Sequence, residues 1–141
     1  MRYIGHGSTA TLAEVEEAIP AWLARWEEWG VGFCSVERSE DGRVLGRVGF
    51  LRWDPETWEI GGGETELGWL LAREHWGRGY ATEAALALRD WGIAERRLTR
   101  LISPILHGNE RSVRVAVRLG EHYERDIVLR GRPAMLYAFE A

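Results

Sequence analysis

The chain has no lysine, no glutamine, one asparagine (Asn109) and one cysteine (Cys34). Each absence removes a class of chemistry. Without lysine there is no phosphate-loop lysine of an NTPase, no Schiff base to pyridoxal phosphate and no amine nucleophile. One cysteine makes neither an internal disulfide nor, alone, a zinc site. The expectation is a reduced, cytoplasmic protein in which Cys34 packs in a strand rather than acting as a nucleophile. His6, His75, His107 and His122 share no metal-ligand spacing, so no metal is expected. No apolar run approaches the ~20 residues that span a bilayer. Residues 1–10 lack the apolar stretch of a signal peptide. A surplus of basic charge is missing too: 18 arginines against 22 acidic residues give a net charge of −4. That balance speaks against nucleic acid and weakly for a cationic partner.

With 141 residues and 45% hydrophobic content, the chain reads as one domain, 1–141. Thr11 followed by Glu14 is a capping box. Leu12, Val15, Ile19, Trp22, Trp26 and Trp29 then form an apolar helical stripe ending at Gly30, with a kink or a break into two short helices at Pro20. Residues 33–37 and 43–53 read as strands around the Asp41-Gly42 turn, and Gly46 and Gly49 predict a bulge or a close neighbour. After a loop at 54–63, in which Trp53 and Trp58 are candidate pocket walls, residues 64–71 form a strand. A helix starts at Tyr80, buries Ala81, Ala84, Ala85, Leu88 and Trp91, and stops at Gly92. Strand 98–102 follows, then a helix capped by Asn109, with Val113, Ala116 and Val117 inward and Gly120 closing it. Strands 123–129 and 135–139 pair across Gly131-Arg132-Pro133. The order predicts an α/β fold, a mixed sheet with helices on its faces.

The chemistry concentrates between Glu66 and Trp91. A glycine-rich turn from a strand into a helix N-terminus aims several backbone N–H groups at one point, assisted by the helix dipole. Trp76-Gly77-Arg78-Gly79 is such a pyrophosphate cradle: a Cβ at Gly77 or Gly79 would obstruct the phosphate, and Arg78 can add a charge-assisted contact. A plain surface loop is the alternative. A dinucleotide-binding loop fits worse, because Thr82 stands where the third glycine belongs and residues 98–102 carry no acid.

The run Trp76-Gly77-Arg78-Gly79-Tyr80-Ala81-Thr82-Glu83-Ala84, after Glu66-Leu67-Gly68-Trp69-Leu70-Leu71, resembles the acetyl-CoA motif of the GNAT N-acetyltransferases. Asn109, Ser112, Val115 and Arg118-Leu119-Gly120 resemble the second motif of the RimJ/RimL-type ribosomal-protein N-terminal acetyltransferase branch. The resemblance implies a splayed sheet holding acetyl-CoA between strands 64–71 and 98–102. An amine, either a protein N-terminus or a small amine, would attack the thioester directly. It implies that the backbone of Trp69, Leu70 and Leu71 pairs with pantetheine. Trp76, Gly77, Arg78, Gly79, Tyr80, Ala81 and Thr82 would hold the pyrophosphate, and Asn109 would bond the pantetheine.

Glu66 matches the family's acidic position as general base, with Glu64 its rival on the same strand face. Ala116 occupies the usual position of the tyrosine that protonates the thiolate, which leaves Ser112 as its substitute and Tyr123 and Tyr137 as further donors. Three features depart from the family. Glu74 stands where Gln or Arg is common, and Glu121 replaces an aromatic after Gly120, leaving its core position to another residue. The chain also begins after the family's first strand, which leaves the edge of strand 33–37 bare and points to a longer natural product or to a homodimer. A non-catalytic acyl-CoA-binding relative is the alternative function.

Overall fold

A computed structural model describes residues 2–4, 7–54 and 63–141. Helix α1 (Leu12–Trp29) opens on the expected reciprocal cap: the Glu14 amide donates to the Thr11 hydroxyl at 3.2 Å, and the Thr11 amide donates to the Glu14 carboxylate at 2.7 Å. It closes at Gly30, φ 65°, whose N–H returns to Trp26 O. The helix continues through Pro20, so the expected division into two short helices does not occur. Anchors on both sides of the proline compensate for its missing N–H. Val15, Trp22, Trp26 and Trp29 are half-buried, and the Trp26 indole donates to Phe33 O at 3.1 Å. The apolar stripe is narrower than its spacing predicts: Leu12 is 74% exposed and Ile19 42%.

Strands β1 (Phe33–Glu37), β2 (Val44–Arg52) and β3 (Thr65–Leu71) form an antiparallel meander. A single 3-10 turn, Arg73–His75, leads to α2 (Tyr80–Arg96), then β4 (Arg100–Leu106), α3 (Glu110–Arg118), β5 (His122–Leu129) and β6 (Arg132–Glu140). Among the described residues the sheet has six strands in the order β1-β2-β3-β4-β6-β5, with only β3 and β4 parallel. Among the described residues strand β1 lies at one edge of the sheet. Both expectations for the β2 glycines are met. The β1–β2 register shifts beside Gly46, and a Cβ on Gly49 would lie 2.2 Å from Gly32 O.

Several boundaries differ from expectation for local reasons. Gly92 does not stop α2. It sits inside the helix because a Cβ there would come 2.8 Å from the Phe50 ring, so the glycine serves close packing of helix on sheet. The final hairpin turns at Arg130-Gly131, both with positive φ (51° and 72°), which matches the strand twist and lets β6 start at Arg132. Val117 lies 58% exposed, leaving Ala116 as the buried contact of α3.

The core between the sheet and α2 contains Val48, Phe50, Leu67, Ala85, Leu101 and Leu119. On the opposite sheet face, Ile102, Leu106, Leu136 and Ala138 form a second cluster beside Tyr3 and Trp53. These two layers fix β3 and β4, whose separation creates the site.

Candidate active site

Strands β3 and β4 meet at a single ladder pair, Glu66 with Ile102. The reason they part lies in Pro104. Leu67 O faces β4, and in this parallel register its next donor would be the amide of residue 104, which a proline lacks. The Ser103 hydroxyl lies 2.9 Å from Leu67 O and satisfies it instead. Beyond that point the ladder ends and the strands diverge. Peptide groups two residues apart face the same strand edge, so the N–H and C=O of Trp69 point into the opening. The carbonyl of Leu71 is already taken by the Trp76 indole at 2.8 Å.

Ser103 also lies 2.9 Å from the Glu121 carboxyl. One hydroxyl hydrogen cannot serve both oxygens, and both contacts are satisfied when Glu121 is protonated and donates to Ser103 while Ser103 donates to Leu67 O. Glu121 is 4% exposed, and its second oxygen has no partner. Burial pushes its pKa up to about 8. The expectation that another residue fills this core position is thus corrected: Glu121 fills it, as a neutral acid. Pro104, Ser103 and Glu121 were missed as site residues. The signal available was Pro104, a proline within an apolar run, which marks a strand with one side unpaired.

The opening of the V is lined by Glu66, Gly68, Trp69, Ser103, Asn109 and Ser112, which brings the predicted pantetheine and proton-donor residues together. Asn109 caps α3 through the Ser112 amide at 3.4 Å, and its amide nitrogen donates to the Ser112 hydroxyl at 2.9 Å. Ser112 Oγ is an acceptor in that bond, so its own hydrogen remains available to the cleft. Tyr123 and Tyr137 are not among the residues lining the cleft. They stack edge to face, and Tyr137 packs on Ala116.

At the outer end of β3, residues 76–79 form an exposed loop. Gly77 and Gly79 have φ of 74° and 84°, and no protein atom lies within 4 Å of where their Cβ atoms would be. Gly79 begins α2 without a side-chain cap, so the amides of Tyr80, Ala81 and Thr82 keep their orphan N–H groups at the helix's positive end. Arg78 is exposed beside them, and the Arg111 guanidinium lies 4.9 Å from the Trp76 ring. Open space, left-handed glycines and unsatisfied donors fit a pyrophosphate.

On the α1 side of the sheet, a cavity of about 280 Å³ is lined by Glu66, Gly68, Trp22, Phe33, Arg47 and Trp53, among others. Trp53 thus stands where its position predicts, while Trp58 lies outside the described residues. The Trp53 indole donates to Glu66 at 2.7 Å, and burial raises the Glu66 pKa to about 7 despite that bond. Its rival Glu64 is held by Arg100 at 3.1 Å, within a cluster that also ties Glu124 and Glu140 to the same guanidinium. The arrangement offers one proton acceptor poised near neutrality beside an unpaired strand edge. Cys34 is half-buried, with its thiol pKa raised by burial, which disfavours the thiolate.

Comparisons with known proteins agree with this geometry. The acetyltransferase (GNAT) domain family matches residues 1–122. YkkB, an uncharacterized protein of Bacillus subtilis (strain 168), is 36% identical over 117 residues, 82% of this chain but 66% of its own length. The chain therefore spans just under two thirds of that relative. An acetyltransferase structure from Agrobacterium tumefaciens str. C58 is 32% identical with a TM-score of 0.77, covering 97% of this chain and 77% of its own. The aminoglycoside acetyltransferase AAC(6')-Ib, solved with coenzyme A, shares the fold at 21% identity and a TM-score of 0.76, covering 96% and 79%. By the extent of the family match, the chain belongs to the acetyltransferase (GNAT) domain family.

Proposed function

We propose that the protein is an acetyl-CoA-dependent N-acetyltransferase, of the RimJ/RimL type, acting on a primary amine. The observation that carries this proposal is the unpaired edge of β3, which runs from Glu66 at the vertex of the V to the uncapped N-terminus of α2. One continuous track thus offers an acid, free strand donors and a phosphate cradle.

Bound acetyl-CoA would supply an activated acetyl thioester that an amine can attack without an acyl-enzyme. Loop residues Trp76, Gly77, Arg78 and Gly79, with the first amides of α2, would hold the pyrophosphate, and Asn109 and the backbone of Trp69 to Leu71 the pantetheine arm. Trp69 N–H would be the donor to the carbonyl oxygen, where negative charge grows. Glu66 takes the proton that the ammonium must lose before attack. With a pKa of about 7 it is about half ionised at neutral pH and basic enough to do so. Glu64, committed to Arg100, is less available for that work. Ser112 presents a hydroxyl hydrogen to the departing sulfur, with Asn109 fixing its rotamer.

The test is a thermal melt with and without acetyl-CoA. At a hundred times its dissociation constant a ligand stabilises the fold by about 2.7 kcal/mol, a rise in Tm of several degrees at this size. A shift of that size is expected with acetyl-CoA and with CoA. No shift at millimolar cofactor would contradict the cradle.

A further inference from the structure

The cavity beside Glu66 has an unexpected charge. The chain as a whole is acidic, yet among the described residues the cavity walls carry Arg25, Arg47 and Arg130 against one carboxyl, that of Glu66. Arg25 and Arg130 lie over Trp29 and Trp53 at 5.7 and 6.0 Å. Arg47 is more confined. It projects from β2 opposite Leu70, its guanidinium lies 5.0 Å from the centre of the Trp22 ring and 4.7 Å from that of Phe33, and it is half-buried. Among the described residues it has no carboxylate and no hydrogen-bond partner. Burial without a counter-ion lowers its pKa from the ordinary guanidinium value.

Two aromatic rings lie against this guanidinium, and among the described residues its N–H groups have no acceptor. Stacking holds the fork in one orientation, so little further ordering is needed when it pairs with a planar anion. A partly desolvated cation is also worth more to an incoming anion than one in open water. Along β2, Arg47 stands four residues from Leu51, which is the register partner of Glu66. At ~3.3 Å per residue that is roughly 13 Å of strand, which the two inward-reaching side chains shorten. An amine at Glu66 and an anion at Arg47 would then belong to the two ends of one short molecule.

We propose that the acceptor amine carries a carboxylate at its far end, in the manner of a short peptide or amino acid with a free amino group, and that Arg47 is the specificity residue that pairs with it. This rests on the acetyltransferase function above and narrows its substrate class. It also reverses the weak preference for a cationic acceptor drawn from net charge, because the described residues lining the cavity carry a charge opposite to the chain's total.

The experiment measures binding of di- and tripeptides, as free acids and as C-terminal amides, and of a linear diamine, to the protein saturated with CoA, by calorimetry. A parallel assay follows CoA release from acetyl-CoA with the same compounds. The free acids are expected to bind about 10- to 100-fold more tightly than their amides, the range for a charge-assisted bidentate pair, and the diamine most weakly. Arg47→Met, which keeps bulk between the two rings, is expected to erase the difference between acid and amide. Equal affinity for acid and amide in the wild-type protein, or a preference for the diamine, would overturn the proposal without needing the variant to fold. Acid-selective binding with no CoA release would leave Arg47 in its place and overturn the acetyltransferase function. CoA release without acid selectivity would do the reverse.

Discussion

Glu66→Gln lowers kcat/KM for acetyl transfer by about 10²- to 10³-fold, within the usual range for loss of a general base, and leaves the fold standing. Glutamine keeps the size of the side chain and can still accept from the Trp53 indole, whose 2.7 Å bond holds the carboxyl in place. What it loses is basicity. The wild-type rate is expected to rise with pH through a midpoint near 7, as the Glu66 carboxyl ionises. That limb should be missing in the variant, while any limb from ionisation of the acceptor amine stays. A pH–rate profile of Glu66→Gln that still rises near 7 would remove Glu66 from the role of base. Glu64→Gln is the control: Glu64 is tied to Arg100, so a base at that position would show itself by a larger loss there than at Glu66.

The second large effect is on stability and comes from Glu121. Burial holds its pKa at about 8 against an ordinary 4.5, so the carboxyl is protonated in the fold at neutral pH and can donate to Ser103 while Ser103 donates to Leu67 O. Below pH 4.5 both folded and unfolded chains hold this proton, and the folded state bears no cost. Between 4.5 and about 8 the unfolded chain releases the proton while the folded chain keeps it, so stability falls as pH rises. Above about 8 both are ionised and the loss is complete. Each pH unit in that window removes about 1.4 kcal/mol at most, so the whole effect is of the order of a few kcal/mol. Glu66, raised to about 7, adds to the same slope. Glu121→Gln reproduces the protonated carboxyl by donating its amide to Ser103. Denaturant unfolding at a series of pH values should show the variant with a shallower slope and greater stability than wild type at pH 8.5. Parallel slopes would mean that Glu121 is ionised in the fold.

The parts of this fold that could be read in advance are those written by neighbours in the chain. The Thr11–Glu14 cap, the turn at Asp41-Gly42, the glycine turn at residues 76–79 and the Asn109 cap each need only residues a few positions apart, and each lies where its residues predict. What escaped was decided by residues distant in sequence. Gly92 reads as a stop until Phe50 is found against it. Leu12 and Ile19 read as core until only one flank of α1 meets the sheet. Glu121 follows a helix-closing glycine, where a charged residue is ordinarily solvated, and only Ser103 and Leu67 from two other strands explain its burial. Arg47 reads as one arginine among 18, because its distinction is to lie against Trp22 and Phe33 with no acid beside it among the described residues. The extent of β4 sits between these cases: the strand expected at 98–102 runs in the fold from Arg100 to Leu106, through Pro104, which marks the place where β3 and β4 part.

The most direct measurement is steady-state release of CoA from acetyl-CoA with and without a primary amine, with the amine product identified by mass spectrometry. Sustained, amine-dependent release with one acetyl group on the amine, and no acetyl group left on the protein, is the predicted result. Binding of acetyl-CoA with no amine-dependent release across peptide and small-amine acceptors would contradict it, and would make the protein an acyl-CoA-binding relative that does not turn over.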